Sequence, residues 1–291
     1  MDSTLTKGTN FSFLNSTSIN NNVDSLINFY FGENTSEQIK DEYQKKELYF
    51  KALNNLQESQ IPYGQDIKIS FDSEELCELL IKHEVITRED TVNNMHVFPQ
   101  EEREEVIYKI EKGLELIKIL HPNLYSLIKR HFGTIYLAKR KGFGGGTVSS
   151  LLGLLWLNPP KKWSVIDYAE ALYHEFIHNT LFLDDMVNSI FPNPADCYLP
   201  EALTTSTILK KKRPIDRSFH AANVSIGIMH LYYMLGDKKK SRMYKEELSK
   251  TMSELNERKQ FFGERGIEIL NEMNKFIKLY DFENITESLN N

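Results

Sequence analysis

The stretch Trp163-Ser164-Val165-Ile166-Asp167-Tyr168-Ala169-Glu170-Ala171-Leu172-Tyr173-His174-Glu175-Phe176-Ile177-His178-Asn179-Thr180-Leu181-Phe182 decides how the rest of this chain is read. Ser164 with Asp167 three residues on has the spacing of a capping box, and Trp163 and Tyr168 occupy the positions of a hydrophobic staple. The helix they open is apolar nearly all round, which predicts a buried helix. Such a helix carries His174, Glu175 and His178 only for a reason, because an unpaired buried polar group costs about 1–3 kcal/mol. Residues four apart share one face, a turn apart. His174 and His178 can therefore offer their ring nitrogens to one metal ion, and Glu170, one turn earlier, is placed to orient His174. The bland alternative is a pair of surface or core histidines satisfied by their neighbours.

Two ligands leave a metal site incomplete, and the choice of the third separates the functional classes. A Glu from a following helix gives the zinc-peptidase arrangement, and Glu201 after Pro200 is the candidate, with Glu175 as the general base. The extended peptidase motif needs a Gly where Leu181 stands and a ligand where Asp184 stands, so the missing Gly argues against it. His220, at the start of a long apolar helix, is the third option. His230, spaced with Ile226 and Met234, reads as core packing. Arg213, stiffened by Pro214, and Arg217, one turn before His220, read by themselves as surface cations.

Outward from this helix, Val106, Ile110, Leu114, Ile117 and Leu120 predict an amphipathic helix over about 100–120, ended or kinked at His121-Pro122. Residues 67–71, 134–138 and 153–157 read as short strands. The run Gly142-Phe143-Gly144-Gly145-Gly146-Thr147 lacks the Lys of a phosphate loop and reads as a flexible rim, a close backbone approach to substrate, or a plain turn. Helical patterns start at Val23 and at Asp72-Ser73, and Phe11-Ser12-Phe13-Leu14 reads as an apolar island in a loose arm. The expected fold is α+β, mainly α-helical, with a small antiparallel sheet beside a buried metal-binding helix. The expected division is a helical region over 1–98, suited to peptide recognition, and a catalytic region over 99–291.

Composition bounds the rest. The chain has 291 residues, 41% hydrophobic and 26% charged, as a folded protein should. A net charge of −6 argues against nucleic acid as the main partner. Lys210-Lys211-Lys212-Arg213 and Lys238-Lys239-Lys240 read as solvated runs. Cys77 and Cys197 form no paired motif, which suits free thiols in a reducing compartment. The longest apolar runs, 151–157 and 226–235, are too short to span a bilayer. A cytoplasmic protein with no membrane partner is expected.

Four blocks resemble a known family. They are Gly146-Thr147 with Gly153-Leu154-Leu155-Trp156-Leu157-Asn158-Pro159-Pro160, then 169–179 with its two histidines, then Arg213-Pro214-Ile215, then His220. Together, over 142–233, they resemble the HExxH-motif peptide-modifying family, the iron- and 2-oxoglutarate-dependent β-hydroxylases of ribosomal peptide natural-product pathways. The resemblance implies an Fe(II)/2-oxoglutarate-dependent dioxygenase using O2 on a ribosomally synthesised precursor peptide. It implies His174, His178 and His220 as iron ligands, which would leave room for a chelating 2-oxo acid and for O2. It also implies Arg213 as the 2-oxoglutarate anchor, whose fork matches both carboxylate oxygens, with Arg217 as the rival anchor. The chain departs from the pattern before Arg213, where Thr204-Thr205-Ser206-Thr207 and a lysine run stand, and after His220, where Ala221 replaces a Gly. A zinc (Zn2+) metallopeptidase is the alternative reading, and a non-catalytic peptide-binding partner is the second alternative.

Overall fold

A computed structural model describes residues 11, 14–142 and 144–291. Ten α-helices stand among them. They are α1 (Ser16–Phe31), α2 (Glu42–Leu56), α3 (Glu74–Lys82), α4 (Gln100–Leu120), α5 (Pro122–His131), α6 (Val165–Asn188), α7 (Ile215–Met234), α8 (Lys245–Asn256), α9 (Glu264–Leu279) and α10 (Phe282–Asn290). Strands β1 (Lys68–Ser70), β2 (Thr134–Leu137), β3 (Gly145–Gly146) and β4 (Leu154–Leu157) form one sheet, and β5 (Thr204–Thr205) pairs with β6 (Lys212–Arg213) in another. The fold is thus mainly helical α+β. No helix of the described residues is long and apolar enough to cross a membrane.

The chain divides into two units, Asn21–Leu183 and Asp184–Asn291 with the residues up to Asn20. This division differs from the one expected near residue 98. The reason is strand pairing: Lys68 to Ser70 align with Thr134 to Tyr136, which ties the early helices into the same sheet as the later strands. Phe11 and Leu14 are buried, so the apolar island is part of a core where it is described. Ser12 and Phe13 of that island, and Phe143 of the glycine run, lie outside the described residues.

In the first unit the sheet order is β1-β2-β4-β3. The antiparallel expectation is corrected here: β1, β2 and β4 run parallel, and only β3 runs against β4. All four residues of β2 and of β4 are buried. Strands covered on both faces read as continuous apolar runs, the pattern of parallel strands, whereas half-exposed antiparallel strands alternate. Thr134-Ile135-Tyr136-Leu137 and Leu154-Leu155-Trp156-Leu157 have that continuous pattern. Trp156 crosses back to donate its indole N–H to the Ala138 carbonyl at 2.8 Å.

The glycine run starts in a turn at Lys141-Gly142, as expected, and its last two residues, Gly145-Gly146, form an edge strand. Gly145 has φ +152°, and a Cβ there would lie 2.6 Å from the Trp156 carbonyl oxygen. Only Gly allows this close pairing. A second close approach sets the helix packing: a Cβ on Gly113 would stand 3.1 Å from the Ala169 nitrogen, so α4 crosses α6 nearly backbone to backbone. His121 ends α4 and caps α5, accepting from the Leu124 amide on Nδ1 at 3.2 Å, with Pro122 in the first turn.

In the second unit α7 is almost wholly buried, from Ile215 to Tyr232 apart from Asp216 and Arg217. The pair β5–β6 precedes it, with Thr204 opposite Arg213. Asp184, at the start of this unit, is buried and held by Arg265 of α9 at 2.8 Å.

Candidate functional site

The start of α6 is built as its sequence predicts. The Ser164 amide and hydroxyl both donate to Asp167 Oδ2 at 2.7 Å, and the Asp167 amide lies 3.4 Å from Ser164 Oγ. Trp163 meets Tyr168 edge to face at 5.4 Å. Tyr168, Ala169, Leu172, Tyr173, Phe176 and Ile177 are buried. One stripe stays partly open, and it carries Asp167, Glu170, Ala171, His174, His178 and Phe182, at helical spacing. Both histidines therefore stand on the single accessible face of an otherwise buried helix.

Their rings lie 5.0 Å apart, centre to centre, and His178 stacks on Phe182 at 6.1 Å. Burial disfavours the imidazolium of His174 and lowers its pKa to about 4, although 28% of its side chain remains exposed. A neutral imidazole is the form that ligates a metal. The i, i+4 spacing and the neutral ring of His174 thus fit one ion of the zinc or iron type. Among the described residues, no group of three His, Cys, Asp or Glu side chains is assembled to hold a metal. What the fold brings together is the pair.

Glu175 sits just off the stripe and is 7% exposed. Its Oε1 is 3.7 Å from His174 Nε2, and its Oε2 has no hydrogen-bond partner of good geometry. Burial raises this carboxyl to about 7, and the hydroxyl and amide of nearby Thr147 only partly offset the effect. A cavity of about 280 Å³ opens beside it, walled by Gly144, Gly145 and Leu157 from the sheet edge and by Trp163, Glu170 and His174 from the helix. The site in this unit is therefore a cavity between a sheet edge and the stripe of α6. Sequence reading did not place Thr147 against Glu175 or Trp163 in the cavity wall, because both depend on how β3 folds back.

The remaining candidates lie in the second unit. His220, on α7, is buried, and burial lowers its pKa to about 3. Arg213, on β6, is half-buried and has no ion pair or hydrogen bond to its guanidinium among the described residues; burial, and then the charge of Arg217, lower its pKa. Arg217 is exposed. Glu201 is exposed in a short 3-10 turn, Pro200–Ala202, where a helix was expected. Asp184 accepts three hydrogen bonds from Arg265, at 2.8 to 3.1 Å, which leaves it poorly suited to a metal. His230 meets the Thr286 hydroxyl at 2.9 Å, as core packing requires.

No protein-family model matches the chain, and no curated protein matches it.

Proposed function

We propose that this chain is an Fe(II)- and 2-oxoglutarate-dependent β-hydroxylase acting on a residue of a ribosomally synthesised precursor peptide. The observation that carries the reading is Arg213, a half-buried guanidinium with no ion pair or hydrogen bond among the described residues, on which the charge of Asp216 acts only at a distance. A partly desolvated fork whose N–H groups make no hydrogen bond is suited to a carboxylate. It precedes His220 by the step from β6 into α7. In this reading the pair His174 and His178 would hold the iron, His220 is the candidate third ligand, and Arg213 would bind the far carboxylate of 2-oxoglutarate. Arg217, being exposed, is the weaker anchor. Iron with 2-oxoglutarate and O2 supplies the oxidising power, and succinate and CO2 are released. The cavity at the sheet edge admits the peptide residue beside His174, and Glu175, its carboxyl raised to about 7 by burial, forms part of the wall there.

One observation favours the zinc metallopeptidase as a second reading. Glu175 combines a raised pKa, an open cavity and closeness to His174, which are the properties of a base that activates a metal-bound water. Glu201, the third ligand that reading needs, is exposed.

Anaerobic absorption spectroscopy tests the choice. Adding Fe(II) and then 2-oxoglutarate to metal-free protein is expected to give a visible charge-transfer band. Arg213→Ala should weaken it at least tenfold in 2-oxoglutarate affinity, the scale of a lost charge-assisted contact. Absence of the band, with tight one-to-one zinc lost in Glu201→Ala but retained in His220→Ala, would replace this proposal with the peptidase.

A further inference from the structure

Asp167, Glu170 and Glu175 all line the cavity between the sheet edge and α6, and none of its lining residues is Lys or Arg. Asp167 accepts two hydrogen bonds from Ser164, both on Oδ2 and both from neutral donors. It makes no ion pair among the described residues. Its place in the first turn of α6 suits a negative charge, and the helix dipole is its ordinary explanation. That dipole stabilises the charge without cancelling it. The lysines near this helix start do not cancel it either. Lys161 pairs with Glu102 at 2.9 Å, Lys109 pairs with Glu105 at 2.7 Å, and Lys162 is exposed and does not line the cavity. Asp167 and Trp163 both keep accessible surface, so a ligand can reach them.

Two further observations give the cavity a shape for a ligand. Glu175, beside His174, is a buried carboxyl in the cavity wall whose Oε2 has no hydrogen-bond partner among the described residues. Trp163 forms the wall at the other end, where its ring would meet a Cβ on Gly144 at 3.6 Å. An indole face attracts a cation more strongly than any other side-chain ring. Asp167 stands seven residues before His174, which is two turns, or about 10 Å along the helix. A side chain that starts beside His174 reaches Asp167 only if it is long. Ala171 and Leu157 lie between and offer apolar surface to a methylene stem. We propose that this cavity takes the lysine or arginine side chain of a peptide, with its cationic head held between the Asp167 carboxylate and the Trp163 ring. That the occupant is a peptide rests on the function proposed above, whereas the selection of a cation rests on the cavity alone.

The test uses the metal-free full chain and follows the Trp163 indole N–H by NMR. The chain has two tryptophans, and Trp163→Phe assigns the resonance. The probes are the N-acetylated tripeptide amide alanyl-lysyl-alanine, its neutral counterpart with norleucine in place of lysine, and n-butylammonium. The lysine peptide is expected to shift the resonance saturably and to bind about tenfold tighter than the norleucine peptide. Butylammonium, which lacks the peptide, should bind more weakly than the lysine peptide. Asp167→Asn keeps an oxygen for the Ser164 donors and should remove most of the preference for lysine. Asp167→Glu retains both the charge and a capping-box residue and should preserve that preference. No saturable shift, equal affinity for the lysine and norleucine peptides, or an undiminished preference in Asp167→Asn overturns the proposal. Butylammonium binding as tightly as the lysine peptide also overturns it, in favour of a free amine. No metal is present, so a lysine preference without the iron charge-transfer band would remove the hydroxylase reading alone, and the band without the preference would remove this inference alone.

Discussion

At the residue scale, charge without a partner separates this chain's unusual side chains from its ordinary ones. Glu175, Lys46 and Arg213 are each partly or wholly withdrawn from water with an incomplete set of partners. For Lys46, burial and the charge of Lys129 lower the pKa from its ordinary 10.5 to about 8. A base whose pKa is depressed on folding costs stability wherever the folded state must hold the proton. The cost is full below about pH 8 and fades as pH rises toward 10.5. Lys46→Met is therefore expected to raise stability by about 3 kcal/mol at pH 7, a gain that largely vanishes by about pH 10.5. Urea unfolding of both proteins across this range checks it, in buffers free of carboxylate and phosphate. Equal midpoints at neutral pH would mean that the ammonium is satisfied in solution. Glu175 behaves in the opposite sense. Its raised pKa costs stability as pH climbs from about 4.5 to about 7, so Glu175→Gln should flatten that fall in metal-free protein.

At the element scale, two glycines allow close approaches around α6, one at the cavity's sheet edge and one where α4 crosses the helix. Gly145 lets β3 pair with β4 and form the cavity's sheet edge, with the Trp156 carbonyl where a Cβ would go. Gly145→Val combines that clash with a positive φ and is expected to cost about 2–4 kcal/mol. Its thermal midpoint should drop, and the His174 imidazole should become more exposed to chemical modification. Gly113→Ala puts a methyl group against Ala169 and Tyr168, where α4 crosses α6, and should cost about 1–3 kcal/mol. A midpoint unchanged in Gly113→Ala would show that the two helices can slide apart freely.

At the scale of the whole molecule, long-range polar contacts matter most where they are buried. Arg265 reaches Asp184 across 81 residues of sequence, and the Asp184 side chain is only 4% exposed. Arg265→Met leaves that carboxylate buried and uncompensated, with an expected cost of about 3–5 kcal/mol. The double variant Asp184→Leu with Arg265→Met should recover most of the loss. Calorimetry on the two variants decides this, and equal losses in both would assign the effect to packing.

The sequence by itself determined α6, its capping box, its staple and the face shared by His174 and His178. Each depends on residues no more than a few positions apart, and helix geometry fixes what those positions do. It also revealed α4, the break at His121-Pro122 and the places of β1, β2 and β4, because turn residues and apolar periodicity are local signals. Only the tertiary structure decided that β1, β2 and β4 run parallel, that Gly145-Gly146 form an edge strand, and that residues before 98 share a sheet with those after it. Strand direction and pairing join residues tens of positions apart, as Lys68 joins Thr134, and no local pattern encodes the partner. Lys46 shows the same limit: on an amphipathic helix it reads as one more surface cation. Its burial, and the absence of a hydrogen-bond partner for its Nζ among the described residues, come from residues that pack against α2 from elsewhere in the chain.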